Sequence, residues 1–371
     1  MRIRDRHIGP GHAPYLIAEL GVNHDGSVVR AIDLARAAHA AGADAIKLQF
    51  FRTDLLMSRA AKLAAYQKVA GETDPVAMLR RLELSANGLA RVLAAARSLG
   101  VHAIVTIFSV ELVAEAEAAA AAHGGWDAYK TASPDIIHRP LLEALAATKR
   151  PLIVSTGAST MAEVTRAVEW LGDAQRETRL AFLQCVSSYP TPDHLAALDG
   201  IGALAAALPK VPIGYSDHTA SEAMGALAVA AGACILEKHF TYDRSARGPD
   251  HAASLDAAGF ACYVAHAREA CARHGRVDSA APRSPAAACK AVQPIERDVR
   301  TVSRQSIVSR GALPAGHVLT RHDLTFKRPG TGIPPYALDF VLGARLAFAV
   351  APDVPLAWAD IGHEPPREET T

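Results

Sequence analysis

The sequence lacks a strong charge of either sign and any paired cysteine pattern. Its formal net charge is only +1 at pH 7, so no basic field points to nucleic acid as a partner. The five cysteines show no paired spacing, which argues against a disulfide framework and against a zinc ribbon. Cys185 and Cys234 lie in or near apolar runs, and we interpret both as small core residues rather than nucleophiles.

The sequence also lacks the apolar segments that secretion or membrane insertion requires. Its N-terminal stretch, Met1 to His7, has no apolar core like that of a signal peptide. No run approaches the roughly 18 apolar residues that a helix needs to span a bilayer. These absences predict a soluble, cytoplasmic protein without a membrane partner.

What the sequence does contain is a regular alternation of short apolar runs with segments rich in alanine and leucine. Half of the 371 residues are hydrophobic, which allows a large core. The segments 28–41, 161–171 and 220–232 are predicted helices. The predicted strands are 15–19, 45–49, 102–106, 128–130, 152–155, 181–185, 212–215 and 235–237. Strict alternation implies parallel strands joined by right-handed crossovers.

Eight such units predict an α/β fold with a closed (β/α)8 TIM barrel. An open doubly wound sheet is the alternative, but no Gly-x-Gly-x-x-Gly turn follows the first predicted strand. A stretch rich in Pro, Ser and Ala at 277–288 is typical of a linker, and short β-like runs follow it. We therefore predict a barrel over 1–275, a linker over 276–300 and a small, mostly β domain over 301–371. So small a domain is expected to lean on its own barrel or on a partner.

Polar residues collect at the carboxyl ends of the predicted strands, the face on which TIM barrels build active sites. Lysines near the ends of apolar strands are costly to bury without an anionic partner. Ammonium and hydroxyl groups together suit a phosphate or a carboxylate. The predicted anion cradle consists of Lys47, Lys130, Thr106, Ser133, Ser155, Ser187 and Ser216. Backbone N–H groups of the turn 155–159 are candidates to extend the cradle.

Two histidines follow the last two predicted strands. Because neighbouring parallel strands lie about 4.8 Å apart, His218 and His239 can share one ion, and neutral imidazole suits a borderline divalent cation. The alternative is two ordinary polar residues in loops. Asp250 has two readings as well, a ligand for substrate hydroxyls or a helix cap. The long connection 52–99 is predicted to form a lid or a substrate wall.

These motifs resemble those of the sialic acid synthases, meaning N-acetylneuraminate synthase and its relatives. The matching segments include IAELGVNH (17–24), YKTAS (129–133), GYSDHT (214–219) and EKHF (237–240). The segment KRPGTG (327–332) resembles the antifreeze-like (SAF, β-clip) domain that follows the barrel in that family. The resemblance runs from about residue 15 to residue 361.

The resemblance implies a metal-dependent condensation of phosphoenolpyruvate with an N-acylated amino sugar, N-acetylmannosamine first, to give a sialic (nonulosonic) acid and phosphate. His218 and His239 match the metal ligands, with Mn²⁺ expected and Mg²⁺ or Co²⁺ as alternatives. The seven cradle residues match the phosphoenolpyruvate contacts. Positions that face the metal or the sugar are matched by Glu19, Gln49, Asp135, Tyr189 and Asp250.

Further roles are implied by the same resemblance. Asp135 is the first candidate for activating water and Glu19 the second, while Lys47 and Lys130 hold the phosphate and carboxylate. Arg328 matches an arginine that reaches a neighbouring subunit's site, which implies a domain-swapped homodimer.

The sequence departs from the family pattern near the sugar side. Thr106-Ile-Phe-Ser109 stands where many members have Thr-Pro-Phe-Asp, and Pro134 stands where Gly is usual. The acceptor therefore stays open, with a 2,4-diacetamido hexose (legionaminic or pseudaminic acid synthesis) or another aldehyde as alternatives. Two rival functions remain, a Schiff-base aldolase and a non-catalytic sugar-binding or ice-binding protein.

Overall fold

The computed structural model describes residues 1–273 and 290–364, and a closed barrel of eight parallel strands forms its centre. Strands β1 to β8 are Tyr15–Gly21, Ala45–Phe50, His102–Ile107, Ala128–Thr131, Leu152–Ser155, Leu180–Cys185, Ile213–Asp217 and Ile235–His239. The β8 strand closes the barrel against β1, with Ile235 beside Tyr15 and His239 beside Glu19. The predicted strands and the TIM barrel are confirmed.

Each barrel strand is followed by a helix on the outside of the barrel. These helices are Val28–Ala40, Ala86–Leu99, Leu112–Ala120, Arg139–Ala147, Met161–Trp170, Asp199–Ala207, Met224–Ala230 and Ala257–Arg273, with a short extra helix at Gly172–Arg176. The prediction that one helix begins at residue 220 was wrong, because it begins at Met224. The hydroxyls of Thr219 and Ser221 accept backbone N–H groups there, and such local bonds compete with a helix.

Apolar side chains fill the interior of the barrel near the amino ends of its strands. The end formed by the carboxyl ends of the strands, here called the upper end, is polar. Tyr15, Ile104 and Ile235 belong to one buried interior cluster, which Ile3 and Ile8 of the N-terminal hairpin join. The hairpin consists of two short antiparallel strands, Arg2–Ile3 and Arg6–His7. Because side chains alternate along a strand, the polar residues of the upper end follow the apolar ones on the same inward face.

The connection after β2 forms three short helices, Thr53–Leu56, Ala65–Val69 and Pro75–Leu82. Apolar side chains of the first and third of these helices cluster with Phe51 and Phe108 at the carboxyl end of the barrel. This connection stands beside the polar end of the barrel, where we predicted a lid or a substrate wall.

The chain from residue 290 onward packs on the same end of the barrel. It contains the 3-10 helix Pro294–Glu296, the helix Arg297–Ser303, the antiparallel strands β9 (Ser306–Ser309) and β10 (Leu324–Lys327), three further 3-10 turns at Arg321–Asp323, Pro335–Ala337 and Trp358–Ile361, and the helix Leu338–Val341. This small domain has its own apolar cluster, and the Arg328 N–H donates to the Leu56 carbonyl (2.8 Å). The domain thus leans on its own barrel.

The predicted linker divides into two parts. Its Pro-, Ser- and Ala-rich stretch, 277–288, lies outside the described residues, whereas residues 290–300 include the two short helices named above. Within 1–273 and 290–364, none of the helices combines the length and the apolar character that a membrane crossing needs.

Candidate active site

The carboxyl ends of the barrel strands surround a cavity of about 120 Å³. Most of the predicted site residues line it: Lys47, Gln49, Thr106, Lys130, Ser133, Ser155, Ser187, Tyr189, Ser216, His218, His239, Asp250 and Arg328. The two remaining predicted residues, Glu19 and Asp135, are fully buried and do not line the cavity. Glu19 accepts a hydrogen bond from the Gln49 side-chain amide (3.0 Å).

Two of the five hydroxyls predicted to form an anion cradle accept hydrogen bonds from the lysines. Lys47 Nζ donates to Thr106 Oγ1 (2.9 Å), and Lys130 Nζ donates to Ser155 Oγ (2.5 Å). Ser187 is 1% exposed, and its Oγ has no hydrogen-bond partner within the described part of the chain. A buried hydroxyl without a partner costs free energy, so Ser187 is poised to bind a ligand in the cavity.

The two lysines share a buried carboxylate that the sequence prediction missed. Glu237 Oε1 lies 3.6 Å from Lys130 Nζ and 3.8 Å from Lys47 Nζ, and it accepts a hydrogen bond from Ser216 Oγ (2.9 Å). Lys47 also forms a close ion pair with Glu19. Glu237 lies two residues before His239 on β8, so strand alternation places both side chains on the inward face. The same alternation could have predicted Glu237 as a site residue from the sequence.

The two lysines differ in how well their charges are compensated. Burial lowers the pKa of Lys47, but Glu19 and Glu237 outweigh this effect and raise the pKa above its ordinary value. At Lys130 burial prevails over Glu237 and lowers the pKa. Burial also raises the pKa of Glu237, yet Lys130 and Lys47 hold it below the usual value. An anionic ligand would therefore stabilise the ammonium of Lys130 most.

The two histidines lie together at the edge of the cavity, as predicted. Their ring centroids are 5.4 Å apart, and the Tyr189 ring lies 4.1 Å from that of His218. The Nδ1 of His218 is 2.8 Å from the Val186 carbonyl oxygen, so it donates and leaves Nε2 with a free lone pair. Burial holds the pKa of His239 well below its ordinary value, so this imidazole is neutral. Burial also lowers the pKa of His218, but Cys185 and the Val186 carbonyl outweigh this effect and raise it. A neutral imidazole such as that of His239 suits a divalent metal.

The residues around the pair match a site with open coordination positions. His239 Nδ1 is buried without a hydrogen-bond partner, in the part of the chain that the structure covers, and Asp250 Oδ2 lies 3.7 Å from it. Residues 1–273 and 290–364 contain no group of three His, Cys, Asp or Glu side chains spaced to hold an ion. The two imidazoles, with the Asp250 carboxylate nearby, would leave positions for water and substrate oxygens on a bound divalent ion.

Asp135 lies on the opposite side of the cavity, near the C-terminal domain. Its Oδ1 accepts a hydrogen bond from Gln305 Nε2 (3.1 Å), and Oδ2 has no partner in the described chain. Burial raises the pKa of Asp135 to about 7, against the lowering effect of Arg328. Arg328 itself lines the cavity of its own barrel, 5.6 Å from the Phe108 ring centroid. The structure gives this contact within one chain, and the domain-swapped homodimer stays a prediction.

One wall of the cavity is apolar and comes largely from the connection after β2. It consists of Val22, Phe51, Leu56, Met78, Leu79 and Phe108. The ring centroid of Tyr66, from the same connection, lies 4.8 Å from that of Tyr189, and Tyr66 was absent from the predicted site. The connection thus lines the cavity where we predicted a lid or a substrate wall, and its apolar character suits acyl groups.

The prediction that the turn 155–159 offers its backbone N–H groups to an anion was wrong. The Gly157 N–H donates to Ser133 Oγ (3.0 Å), and the Ala158 N–H donates to Glu296 Oε1 (2.6 Å). The protein itself thus uses these donors. Glu296 lies far from them in sequence, and no local pattern marked it as part of the site.

Two polar residues at the strand ends face away from the cavity. Lys238 Nζ lies 3.0 Å from Asp217 Oδ2, and both side chains are fully buried. The ammonium also donates to the Thr219 carbonyl (2.6 Å). Alternation along β7 and β8 turns this pair outward, between the strands and the helices.

Comparison with known proteins places the chain among sugar-acid synthases. The chain is 34% identical to N,N'-diacetyllegionaminic acid synthase of Legionella pneumophila over 94% of each protein. It is 30% identical to N-acetylneuraminate-9-phosphate synthase of Mus musculus, over 94% of this chain and 92% of that protein. The crystal structure of spore coat polysaccharide biosynthesis protein SpsE from Bacillus subtilis superposes with a TM-score of 0.80 at 27% identity, covering 98% of this chain and 99% of that one.

Family models match both parts of the chain. The model of the NeuB family matches residues 34–279, and that of the SAF domain matches residues 304–362. The chain belongs to the NeuB family and carries a C-terminal SAF domain.

Proposed function

We propose that this protein condenses phosphoenolpyruvate with an N-acylated amino sugar to give a nonulosonic acid and phosphate. Membership of the NeuB family makes the chain a phosphoenolpyruvate-dependent, synthase-type transferase. The observation that carries the specific reaction is one cavity in which an anion cradle, a histidine pair and an apolar wall meet. Each of the three suits a different part of the two substrates.

The cradle is assigned to phosphoenolpyruvate. This substrate carries a phosphate and a carboxylate, and ammonium groups with hydroxyl donors suit both. Lys130 gains most from an added anion because burial lowers its pKa. Ser187 contributes a hydroxyl without a partner among the described residues. Holding both substrates in fixed positions supplies the orientation that a bimolecular reaction otherwise lacks.

His218 and His239 are proposed to hold a divalent cation, Mn²⁺ first and Mg²⁺ or Co²⁺ as alternatives. Such an ion supplies Lewis-acid polarisation of the aldehyde carbonyl. The Val186 carbonyl fixes the tautomer of His218, and such a contact also orients a ligand ring. Asp250, whose pKa burial raises to about 7, is proposed to bind sugar hydroxyls.

The reaction forms one carbon–carbon bond and one carbon–oxygen bond to water, and it breaks the carbon–oxygen bond to phosphate. The enol carbon of phosphoenolpyruvate attacks the aldehyde carbon, and cationic character develops at the former enol-ether carbon. The nearby carboxylate of Glu237 stabilises that charge. Water adds at the same carbon and gives one proton to a protein carboxylate, while the former aldehyde oxygen takes up a proton and becomes a hydroxyl. The tetrahedral intermediate then expels phosphate, and its added hydroxyl loses the second water proton to phosphate and becomes the keto group.

Asp135 is the proposed acceptor of the water proton. Its pKa of about 7 suits general base catalysis near neutral pH, and its Oδ2 is free of hydrogen bonds within the described residues. Glu19 stays the second candidate, because burial raises its pKa against the lowering effect of its ion pair with Lys47. Asp135→Asn should lower kcat far more than the KM of either substrate, and an unchanged kcat would exclude this role.

The acceptor has two amino-sugar candidates, with another aldose or aldehyde as a further alternative. N-acetylmannosamine is the first, as the resemblance implies. A 2,4-diacetamido hexose is the second, and the apolar wall favours it because a second acetyl group adds another methyl to bury there. The 34% identity to a diacetyllegionaminic acid synthase points the same way.

The decisive experiment measures phosphate release from phosphoenolpyruvate with each sugar in turn. We expect release only with an N-acylated amino sugar, loss of activity on chelation and recovery with Mn²⁺. Borohydride trapping of a keto acid on a lysine, with activity insensitive to chelator, would support the aldolase instead. No phosphate release with any sugar would support a binding protein.

We also propose the domain-swapped homodimer, in which residues 290–364 would make the same barrel contacts on the partner. Mixing Lys130→Met protein with Arg328→Ala protein tests this proposal. Swapped subunits would create a site with both residues intact, and the mixture would then show the wild-type KM for the sugar. A mixture that keeps the raised sugar KM of Arg328→Ala would show that Arg328 serves only its own chain.

A further inference from the structure

Glu296 connects two loops of the cavity through a single carboxylate oxygen. The residue ends the 3-10 helix Pro294–Glu296 and is fully buried. Its Oε1 accepts the N–H of Ala158 (2.6 Å), after β5, and the N–H of Ser187 (2.7 Å), after β6. Its Oε2 accepts the N–H of Gln293 (2.9 Å). Charge-assisted bonds to backbone amides are among the stronger hydrogen bonds in proteins.

Both of these loops contact hydroxyls of the anion cradle: the loop after β6 carries Ser187, and in the loop after β5 the Gly157 N–H donates to Ser133 Oγ (3.0 Å). Ser187 is held at its own N–H by Glu296, while its Oγ lines the cavity and has no partner in the described chain. Gly157 lies beside it, and a Cβ there would come within 2.3 Å of Ser187 Oγ and 2.8 Å of Ser133 Oγ. The serines therefore pack against bare backbone. A shift of either loop would move these hydroxyls relative to one another.

The same segment also holds the far side of the Ala158 peptide. Ala158 has a left-handed backbone with φ of 51°, a conformation that is uncommon for alanine. Its carbonyl accepts Arg300 Nη1 (2.6 Å) and Arg304 Nη2 (3.2 Å). Both guanidinium groups also bind Glu163 (2.9 Å and 2.7 Å). Residues 296–304 thus bind both the N–H and the carbonyl of Ala158.

We infer that Glu296 is a positioning residue for phosphoenolpyruvate, which sets the Ser187 and Ser133 hydroxyls by binding the loops after β5 and β6. The inference rests on the proposed function, since phosphoenolpyruvate is the ligand assigned to the cradle. Glu296 occupies backbone donors that would otherwise face an anion. The substrate anion therefore meets side-chain hydroxyls and ammonium groups, whose positions depend on the Glu296 carboxylate.

The test compares Glu296→Ala and Glu296→Gln with the control Asp360→Ala in the full-length, metal-loaded protein. Asp360 is matched to Glu296, because it too is the carboxylate of a capping box on a 3-10 helix, Trp358–Ile361. It caps a turn of the SAF domain instead of contacting the cavity loops. The measurements are KM for phosphoenolpyruvate, KM for the acceptor sugar, kcat, and amide hydrogen exchange of residues 156–159 and 186–189.

We expect Glu296→Ala to raise KM for phosphoenolpyruvate at least about tenfold, the size expected when charge-assisted hydrogen bonds are lost. KM for the sugar should change less than about threefold, and amide exchange should speed up in both loops. Glu296→Gln keeps one acceptor oxygen and should fall between wild type and Glu296→Ala. Asp360→Ala should match wild type in both KM values and in loop exchange.

Equal rises in both KM values, or unchanged exchange in the two loops, would overturn the inference. If Glu296→Ala does not fold, the near-isosteric Glu296→Gln decides by the same criteria. Amide exchange needs no substrate. It therefore tests the loop contacts of Glu296 even if the wild-type protein does not turn over phosphoenolpyruvate. Absent turnover in wild type would overturn the proposed function, whereas normal loop exchange in the variants would overturn the role of Glu296.

Discussion

Glu237 Oε1 lies 3.6 Å from Lys130 Nζ, so a buried carboxylate faces the cavity lysine whose charge is less well compensated than that of Lys47. An acid at this place has two opposing effects on an anionic substrate. Its charge weakens the attraction of the lysines for phosphoenolpyruvate, and the same charge stabilises a cation that develops beside them.

Glu237→Gln therefore should separate binding from turnover. We expect KM for phosphoenolpyruvate to fall or stay unchanged, while kcat falls at least about tenfold because transition-state stabilisation is lost. Steady-state kinetics of phosphate release measures both. A raised KM with normal kcat would show that Glu237 only orders the lysines.

His218→Ala should abolish turnover and leave the fold intact. We expect kcat to fall at least about 100-fold, because Lewis-acid activation is worth several kcal/mol, and Mn²⁺ binding by calorimetry should disappear. The matched control is His251→Gln, since His251 is also buried but binds Thr241 Oγ1 (2.7 Å) outside the cavity lining. Wild-type Mn²⁺ affinity in His218→Ala would refute the assignment of the metal ligands.

Arg328→Ala should affect the acceptor more than phosphoenolpyruvate. Arg328 lines the cavity beside Phe108 of the apolar wall, so KM for the sugar should rise about tenfold, the cost of a lost bond to a charged group. KM for phosphoenolpyruvate should change less. Arg345→Ala is the control, because that arginine binds the Gly316 carbonyl on the exposed side of the SAF domain. An unchanged sugar KM would exclude Arg328 from the acceptor site.

Asp135→Asn should change how stability depends on pH. Burial raises the pKa of Asp135 to about 7, above the value of about 3.9 in unfolded chains. The folded state thus binds the extra proton between about pH 4 and 7, so this residue favours folding at low pH and loses that contribution as pH rises through 7.

Between pH 5 and pH 8 the loss amounts to about 2–3 kcal/mol for such a pair of pKa values. Urea unfolding of wild type and Asp135→Asn at both pH values measures it. The variant should show a smaller fall in the free energy of unfolding from pH 5 to pH 8. Equal falls in the two proteins would mean that Asp135 titrates near its ordinary pKa.

The sequence by itself determined the barrel, because the alternation of apolar runs and alanine-rich segments is a local pattern that produces parallel strands joined by helices. It also predicted that polar strand ends such as Lys47, Lys130, His218 and His239 meet at one end, since all parallel strands end on the same face. Glu237 was within reach of the same reasoning, because it shares the inward face of β8 with His239.

Only the tertiary structure decided which partners these groups have. The carboxylate of Glu296 reaches amides more than 100 residues away in the chain, and Arg328 arrives from a second domain. Neither contact leaves a periodic signal, because loop and domain packing join residues without regard to their spacing. The same packing gives the Gly157 and Ala158 N–H groups of the turn 155–159 acceptors within the protein. It also places Lys238 beside Asp217. Local pattern thus predicts the face on which a residue lies, whereas long-range packing determines what it binds there.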